Sequence, residues 1–266
     1  RKRVPWCPAA LSLMVLWMAM EYAQAHLFTG FGWSSLGYSQ GRDLAFLQLA
    51  AVGGTTFLAG ILVVINALVA ESFYAERVRI ARAAIALALV IGVHGAGLVL
   101  IGHPTYASPP FRVGVFQSNF PLEMKWDPEY TLEMVRNAAE KSRMLAENEP
   151  VDVFVWPETL VMDELTLPEI YEEITNLTQS TGAALFTGSQ RLAPETGRSR
   201  NSSFLITPEG TVLGHYDKIH LAPFGEYVPF GEYFPFIQTI VPVISDVEPG
   251  SEVRVFPVEG RTLGPL

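Results

Sequence analysis

Residues 216–230 read YDKIHLAPFGEYVPF, with charges set among aromatics and prolines in neither helical nor strand periodicity. Proline-stiffened loops that present Lys218 and Glu226 in this way are more often sites than connectors. A second acid, Glu158, follows Trp156 and Pro157 at the end of an apolar run. A single loop glutamate is usually only solvated. Two carboxylates flanking one lysine offer more: a general base for a nucleophile's proton, and a cation for the oxyanion that forms when the nucleophile adds to a carbonyl.

The elements that must position these groups can be read around them. Residues 151–156 (VDVFVW) form a β-branched and aromatic run expected of a strand buried on both faces. Pro157 cannot continue a central ladder, so the backbone leaves the sheet there and sets Glu158 at a strand's carboxyl end, where α/β sheets build their sites. Upstream, residues 112–117 predict a strand and 128–149 a helix, with Leu132, Val135, Ala138, Ala139 and Leu145 at roughly helical spacing. Asp127 and Pro128 suit that helix's N-cap and first turn. Downstream, 167–181 predict a second helix, 183–187 a strand, and 203–207 with 211–216 a hairpin about Pro208-Glu209-Gly210, which places Lys218 just past a strand. This order is that of a layered α/β domain. The chain has no internal repeat, P-loop or dinucleotide glycine motif.

Composition adds a second part. The 266 residues are 49% hydrophobic and 17% charged, more apolar than is usual in a soluble protein. Residues 1–110 carry seven Lys and Arg against four Asp and Glu, and residues 111–266 carry eleven against twenty-three, net charges of +3 and −12 that give the chain its −9. A nearly charge-free half followed by an acidic half predicts a membrane part joined to a water-facing part. The acidic half argues against nucleic acid as a partner, because phosphate binding wants a basic face.

Three apolar runs, at about 4–28, 44–70 and 83–101, reach or approach the ~20 residues a helix needs to cross a bilayer, so three transmembrane helices are expected. The first is longer than the ~7–15-residue core of a signal peptide. Arg1, Lys2, Arg3 and then Arg77, Arg79, Arg82 place the N-terminus and the 71–82 loop in the cytoplasm. Three crossings then put everything after Gly102 outside, beyond a stiff linker at 104–110. Glu21, within the first run, reads either as a functional intramembrane carboxylate or as one solvated at the outer interface. The following Phe28-Thr29-Gly30-Phe31-Gly32-Trp33 suits an interfacial aromatic belt, and His94 and His103 suit packing and loop roles. The one cysteine, Cys7, excludes an intrachain disulfide and reads as a structural thiol. His215 and His220 lack a ligand set, so no metal or other cofactor is expected.

The combination Trp156-Pro157-Glu158, Asn201-Ser202, Tyr216-Asp217-Lys218 and Pro223-Phe224-Gly225-Glu226-Tyr227-Val228-Pro229 resembles the carbon-nitrogen hydrolase (nitrilase) superfamily. Membrane spans ahead of it narrow the resemblance to the apolipoprotein N-acyltransferases, with support from Gln117-Ser118-Asn119, Lys125-Trp126-Asp127 and Gly37-Tyr38-Ser39-Gln40. The resemblance covers essentially the whole chain. It implies an αββα sandwich, incomplete here, with a Glu-Lys-Cys triad. Glu158 resembles the general base, Lys218 the oxyanion stabiliser and Glu226 the glutamate that orients the lysine. Asn201 is implied as a contributor to the site and Trp126 as an aromatic of the acyl pocket. The reaction implied moves an acyl chain from a phospholipid, through a cysteine thioester, to the N-terminal amine of a diacylglyceryl-cysteine apolipoprotein. The location implied is the bacterial inner membrane, multi-pass, with the hydrolase-like domain on the periplasmic side.

Aromatic and apolar residues between Tyr227 and Ile244, among them Phe230, Tyr233, Phe234, Phe236 and Ile237, suit contact with membrane lipid as a substrate gate or, equally, packing on the domain core. Two departures stand out: the family's cysteine follows the lysine loop, where this chain has none, and the family carries about eight membrane helices. The chain therefore reads as a fragment cut at both ends and catalytically inactive as given. Two other readings share the residues: a membrane-tethered amidase or nitrilase acting on small amides, and a non-catalytic protein that binds lipid or lipoprotein.

Overall fold

The computed structural model describes residues 9–27, 30–74, 79–103, 110–125, 127–161, 165, 167–229, 231, 233, 236 and 247–265. Trp126, Phe230, Phe234, Ile237, Cys7 and nearly all of the 104–110 linker lie outside them. The chain divides into two compact units, residues 1–108 and 109–266.

The first unit is helical: α1 (Ala9–His26), a short 3-10 helix (Leu36–Gln40), α2 (Leu44–Leu47), α3 (Ala50–Tyr74) and α4 (Arg79–Gly102). Among the described residues α3 and α4 are long and apolar enough to cross a membrane by length and composition. The second apolar run is not one helix. Gly53 and Gly54 are non-helical, Gly54 with φ +66°, so the run breaks there and the helix beyond continues to Tyr74.

Glu21 is not solvated at an interface. It is buried on α1 and accepts hydrogen bonds from Trp17 Nε1 (2.9 Å), Ser35 Oγ (2.9 Å) and the Leu36 amide (2.8 Å), which ties the start of the 3-10 helix back to α1. His94 does more than pack. Its Nε2 meets Asp43 Oδ2 at 2.7 Å, and Asp43 also caps α2 through the Phe46 amide, so α4 and α2 are joined.

The second unit is built on a five-stranded sheet in the order β1 (Val113–Val115), β2 (Val153–Val155), β3 (Ala184–Leu192), β4 (Ser199–Ile206) and β5 (Val212–Asp217). The first three strands are parallel, and β4 and β5 are antiparallel additions. The parallel pairs need crossovers. The segment between β1 and β2 holds α5 (Leu122–Lys125), a 3-10 turn capped by Asp127, and α6 (Thr131–Asn148), and α7 (Pro168–Thr181) lies between β2 and β3.

Alternation along the strands divides the core in two. Phe154, Leu185, Phe204 and Ile206 meet Met134, Val135, Ala138 and Ala139 of α6 and Ile170, Ile174 and Leu177 of α7 on one face. On the other, Val153, Ala184 and Leu205 pack against Phe256 and Val258 of a hairpin formed by β6 (Phe256–Val258) and β7 (Arg261–Leu263). Helices, sheet and hairpin thus lie in successive layers. The helix layer also fixes the strand end that matters chemically. Trp156 is buried and its Nε1–H donates to Ser142 Oγ of α6 at 3.0 Å, an acceptor whose loss would strand a buried donor at a cost of about 1–3 kcal/mol.

Candidate active site

Glu158 follows β2, Asn201 lies in β4 and Lys218 follows β5, so three strand ends converge on one edge of the sheet. The loop after β5 turns back through hydrogen bonds from the Gly225 and Glu226 amides to the Ala222 carbonyl and from the Phe224 amide to the Tyr227 carbonyl. This turn brings Glu226 to the same point. Lys218 Nζ donates to Glu158 Oε1 at 3.1 Å and to Glu226 Oε1 at 3.2 Å, and Asn201 Nδ2 donates to the same two oxygens at 2.7 and 2.8 Å. Two donors thus bridge two carboxylates. Glu226 is pinned further, its Oε2 accepting from the Ala222 amide at 2.7 Å. Glu158 Oε2 takes no hydrogen bond from a described residue, so the more exposed of the two acids keeps one oxygen open.

Backbone ties fix the same residues from behind. The Lys218 amide donates to the Asn201 carbonyl (2.8 Å), and the Lys218 carbonyl accepts from the Gly250 amide (2.9 Å). On the opposite face of the strands Arg200 pairs with Glu195, Glu248 and Asp217, and Arg191 with Asp217, while Ser202 Oγ donates to Asp217 Oδ1 at 2.6 Å. Adjacent residues on a strand point to opposite faces, so this cluster anchors the backbone that presents Asn201 and Lys218.

The electrostatics follow from the contacts. Burial pushes the Glu158 carboxyl up, but hydrogen bonds from Asn201 and Lys218, with the charges of Lys218 and Lys125, outweigh it and hold the group below its ordinary value. Burial pushes Lys218 down, and its hydrogen bonds and charge pairing with Glu158 and Glu226 outweigh that and raise it. At neutral pH the pair is therefore carboxylate and ammonium, the states that a general base and an oxyanion stabiliser require.

Glu158, Asn201 and Lys218 line two cavities. One, of about 290 Å³, is polar at Lys125, Thr159, Gln190, Ser199 and Glu226; the other, of about 260 Å³, is bounded by Val155, Trp156, Phe186, Tyr216 and Pro265. Tyr227, expected at the site, supports the loop through its backbone and lines neither cavity. No three of His, Cys, Asp and Glu converge as a metal site among the described residues.

Two positioning features escaped the sequence reading. Thr159 has φ +49°, a strained conformation for a β-branched residue, directly after Glu158. Beneath it runs Gly188 of β3, where a Cβ would come within 2.5 Å of the Thr159 nitrogen and 2.9 Å of the Glu158 Cα. Both are backbone atoms and cannot step aside, so only glycine lets this turn lie against the sheet. A glycine inside a predicted strand is itself a signal for such a close approach. Replacing Gly188 with alanine should lift Glu158 out of register and slow the site's chemistry about 10²-fold, as misplacements near 1 Å do, with far-UV circular dichroism unchanged.

Residues 112–248 match the family model described as carbon-nitrogen hydrolase, and residues 1–68 match the apolipoprotein N-acyltransferase N-terminal domain. The chain belongs to the carbon-nitrogen hydrolase family. The carbon-nitrogen hydrolase match takes in β1 through β5, Glu158, Asn201, Lys218 and Glu226, and assigns the second unit a nitrilase-like fold with a mixed sheet. The apolipoprotein N-acyltransferase of Geobacter metallireducens is 33% identical over 96% of this chain and 51% of its own length. That of Pseudomonas aeruginosa UCBPP-PA14 is 35% identical over 82% of this chain and 42% of its own. The chain thus spans about half the length of the curated relatives it matches. An amidase structure from Nesterenkonia sp. AN1 aligns with 58% of this chain and 56% of its own at 17% identity and a TM-score of 0.38.

Proposed function

We propose that in the full-length protein this site moves an acyl chain from a phospholipid to the α-amino group of a diacylglyceryl-cysteine lipoprotein. The observation that carries the reading is the bridging of Glu158 and Glu226 by Lys218 and Asn201 with Glu158 Oε2 left open, in a chain of this family with apolar helices ahead of it. The names of the relatives point the same way. In this reaction Glu158 takes a proton from a cysteine thiol, and the thiolate attacks the ester carbonyl. Lys218 meets the oxyanion. The carbon–oxygen bond then breaks, and the lysophospholipid leaves with the proton that Glu158 returns. The lipoprotein amine next attacks the thioester, its proton passes through Glu158, and the thiol is released.

Membrane lipid and an apolipoprotein are accordingly the partners, and the setting is the bacterial inner membrane, with three crossings in this stretch and the second unit on the periplasmic side. Exposed Phe224, Tyr233 and Phe236 near the lysine loop support lipid contact. Cys7 is the only cysteine and lies at the head of the first apolar run, so residues 1–266 alone should form no acyl-enzyme. The test is transfer by the purified full-length gene product from phospholipid to a diacylglyceryl-cysteine peptide, read by mass spectrometry, beside residues 1–266. Transfer by the full-length protein alone is expected. Turnover of a short soluble amide without lipid, and no transfer, would replace this reading with an amidase.

A further inference from the structure

The polar cavity in front of Glu158 and Lys218 contains a second cation, Lys125, whose charge helps keep Glu158 ionised but which takes no step in the transfer chemistry. Lys125 ends α5 and lines this cavity, and its hydrogen bond among the described residues runs to the main-chain carbonyl of Glu158 at 3.4 Å. It forms no ion pair with a described carboxylate. Glu158 and Glu226 share the single charge of Lys218, so those three side chains carry a net negative charge. Lys125 is the other described cation of the cavity and cancels that excess. Gln190 lines the same wall. Its amide oxygen accepts from Ser199 Oγ at 3.2 Å, which leaves its NH2 as a donor with no described partner. Beyond its contact with the Glu158 carbonyl Lys125 keeps N–H donors open toward the cavity, and the Gln190 amide adds another.

We propose that Lys125, assisted by Gln190, binds the phosphodiester of the acyl donor. The assignment rests on the acyl-transfer reading above and adds how the donor is held. A phospholipid's phosphodiester lies one glycerol backbone from the ester to be cleaved. Lys125 touches the carbonyl of Glu158 and Lys218 touches its carboxylate, so an anion held at the first lysine leaves an ester carbonyl within reach of the second. An ammonium on a flexible stem suits this task, because it supplies a point charge and three rotatable donors without demanding one headgroup geometry. Without it, a monoanionic phosphodiester would enter a cavity of its own sign.

The experiment compares wild type, Lys125→Gln and Lys125→Arg in the full-length, detergent-solubilised protein. Acyl-enzyme formation is followed with phosphatidylglycerol, with phosphatidylethanolamine, and with an uncharged p-nitrophenyl ester of the same acyl chain. Lys125→Gln is expected to lower kcat/KM about ten- to hundredfold more for both phospholipids than for the uncharged ester, mainly through KM, the scale of one lost charge-assisted contact. Lys125→Arg is expected to recover most of it. A loss confined to phosphatidylglycerol would mean steering by net charge and would overturn the assignment. An equal loss on all three donors would overturn it in favour of a general effect through Glu158, and no loss would overturn it outright. A wild type that acylates from none of the donors would sink the acyl-transfer reading, and this assignment with it.

Discussion

Lys218→Met in the full-length protein is expected to lower the rate of acyl-enzyme formation by about 10²–10³-fold, the usual cost of removing one oxyanion donor. The size of the effect follows from what Lys218 touches. It is the cation shared by Glu158 and Glu226, so its loss removes the charge aimed at the oxyanion and leaves two carboxylates facing each other with only Asn201 between them. The same change shifts the pH profile, and the sign is fixed. In the proposed role of base Glu158 must be ionised, and its carboxyl is held below the ordinary glutamate value of about 4.3. The acid limb of the wild-type profile should therefore lie below that value. Without Lys218 the carboxyl rises and the limb moves to higher pH. Rapid-quench mass spectrometry across the acid and neutral pH range would show both effects. A Lys218→Met rate within a few-fold of wild type, with an unmoved acid limb, would reduce Lys218 to a structural tie.

Glu158→Gln should be at least as damaging, about 10³-fold or more, and for a separable reason. The glutamine oxygen can still accept from Lys218 and Asn201, so the bridge and the fold survive. What disappears is the open carboxylate oxygen that receives the proton. Lys218, now facing one carboxylate in place of two, loses part of what raises it and stays protonated at neutral pH. The variant should keep wild-type phospholipid binding and melting temperature while losing acylation. A loss of binding equal to the loss of rate would assign Glu158 to substrate recognition.

Much of this arrangement was legible in the sequence, and the misses have physical causes. Pro157 marked the point where the backbone leaves the sheet, and the Pro208-Glu209-Gly210 turn marked the hairpin that delivers Lys218. The strand expected to end at residue 187 runs on to Leu192, because Gly188-Ser189-Gln190-Arg191 looks like loop by composition yet pairs residue for residue with Asn201, Ser202 and their neighbours. Those polar residues belong there because this end of the sheet carries the Arg191–Asp217–Arg200 cluster and the cavity wall. Local pattern leaves both roles open for Glu21 because its Ser35 and Leu36 donors lie fourteen and fifteen residues along the chain. Thr159 gave no signal, since nothing in its type announces a positive φ. Its strain is held by the pairing of Val161 with Ser189 and by the space at Gly188.

In the proposed reaction Glu158 and Lys218, oriented by Asn201 and Glu226, activate a cysteine for acyl transfer from phospholipid. The most direct measurement is intact-protein mass spectrometry of the full-length protein after incubation with a phospholipid of defined chain length, with and without neutral hydroxylamine. The expected result is a mass increase of one acyl chain that hydroxylamine removes, that a diacylglyceryl-cysteine peptide discharges, and that Glu158→Gln and Lys218→Met fail to form. No acyl adduct on the wild-type protein, or an adduct that forms equally well in both variants, would contradict it.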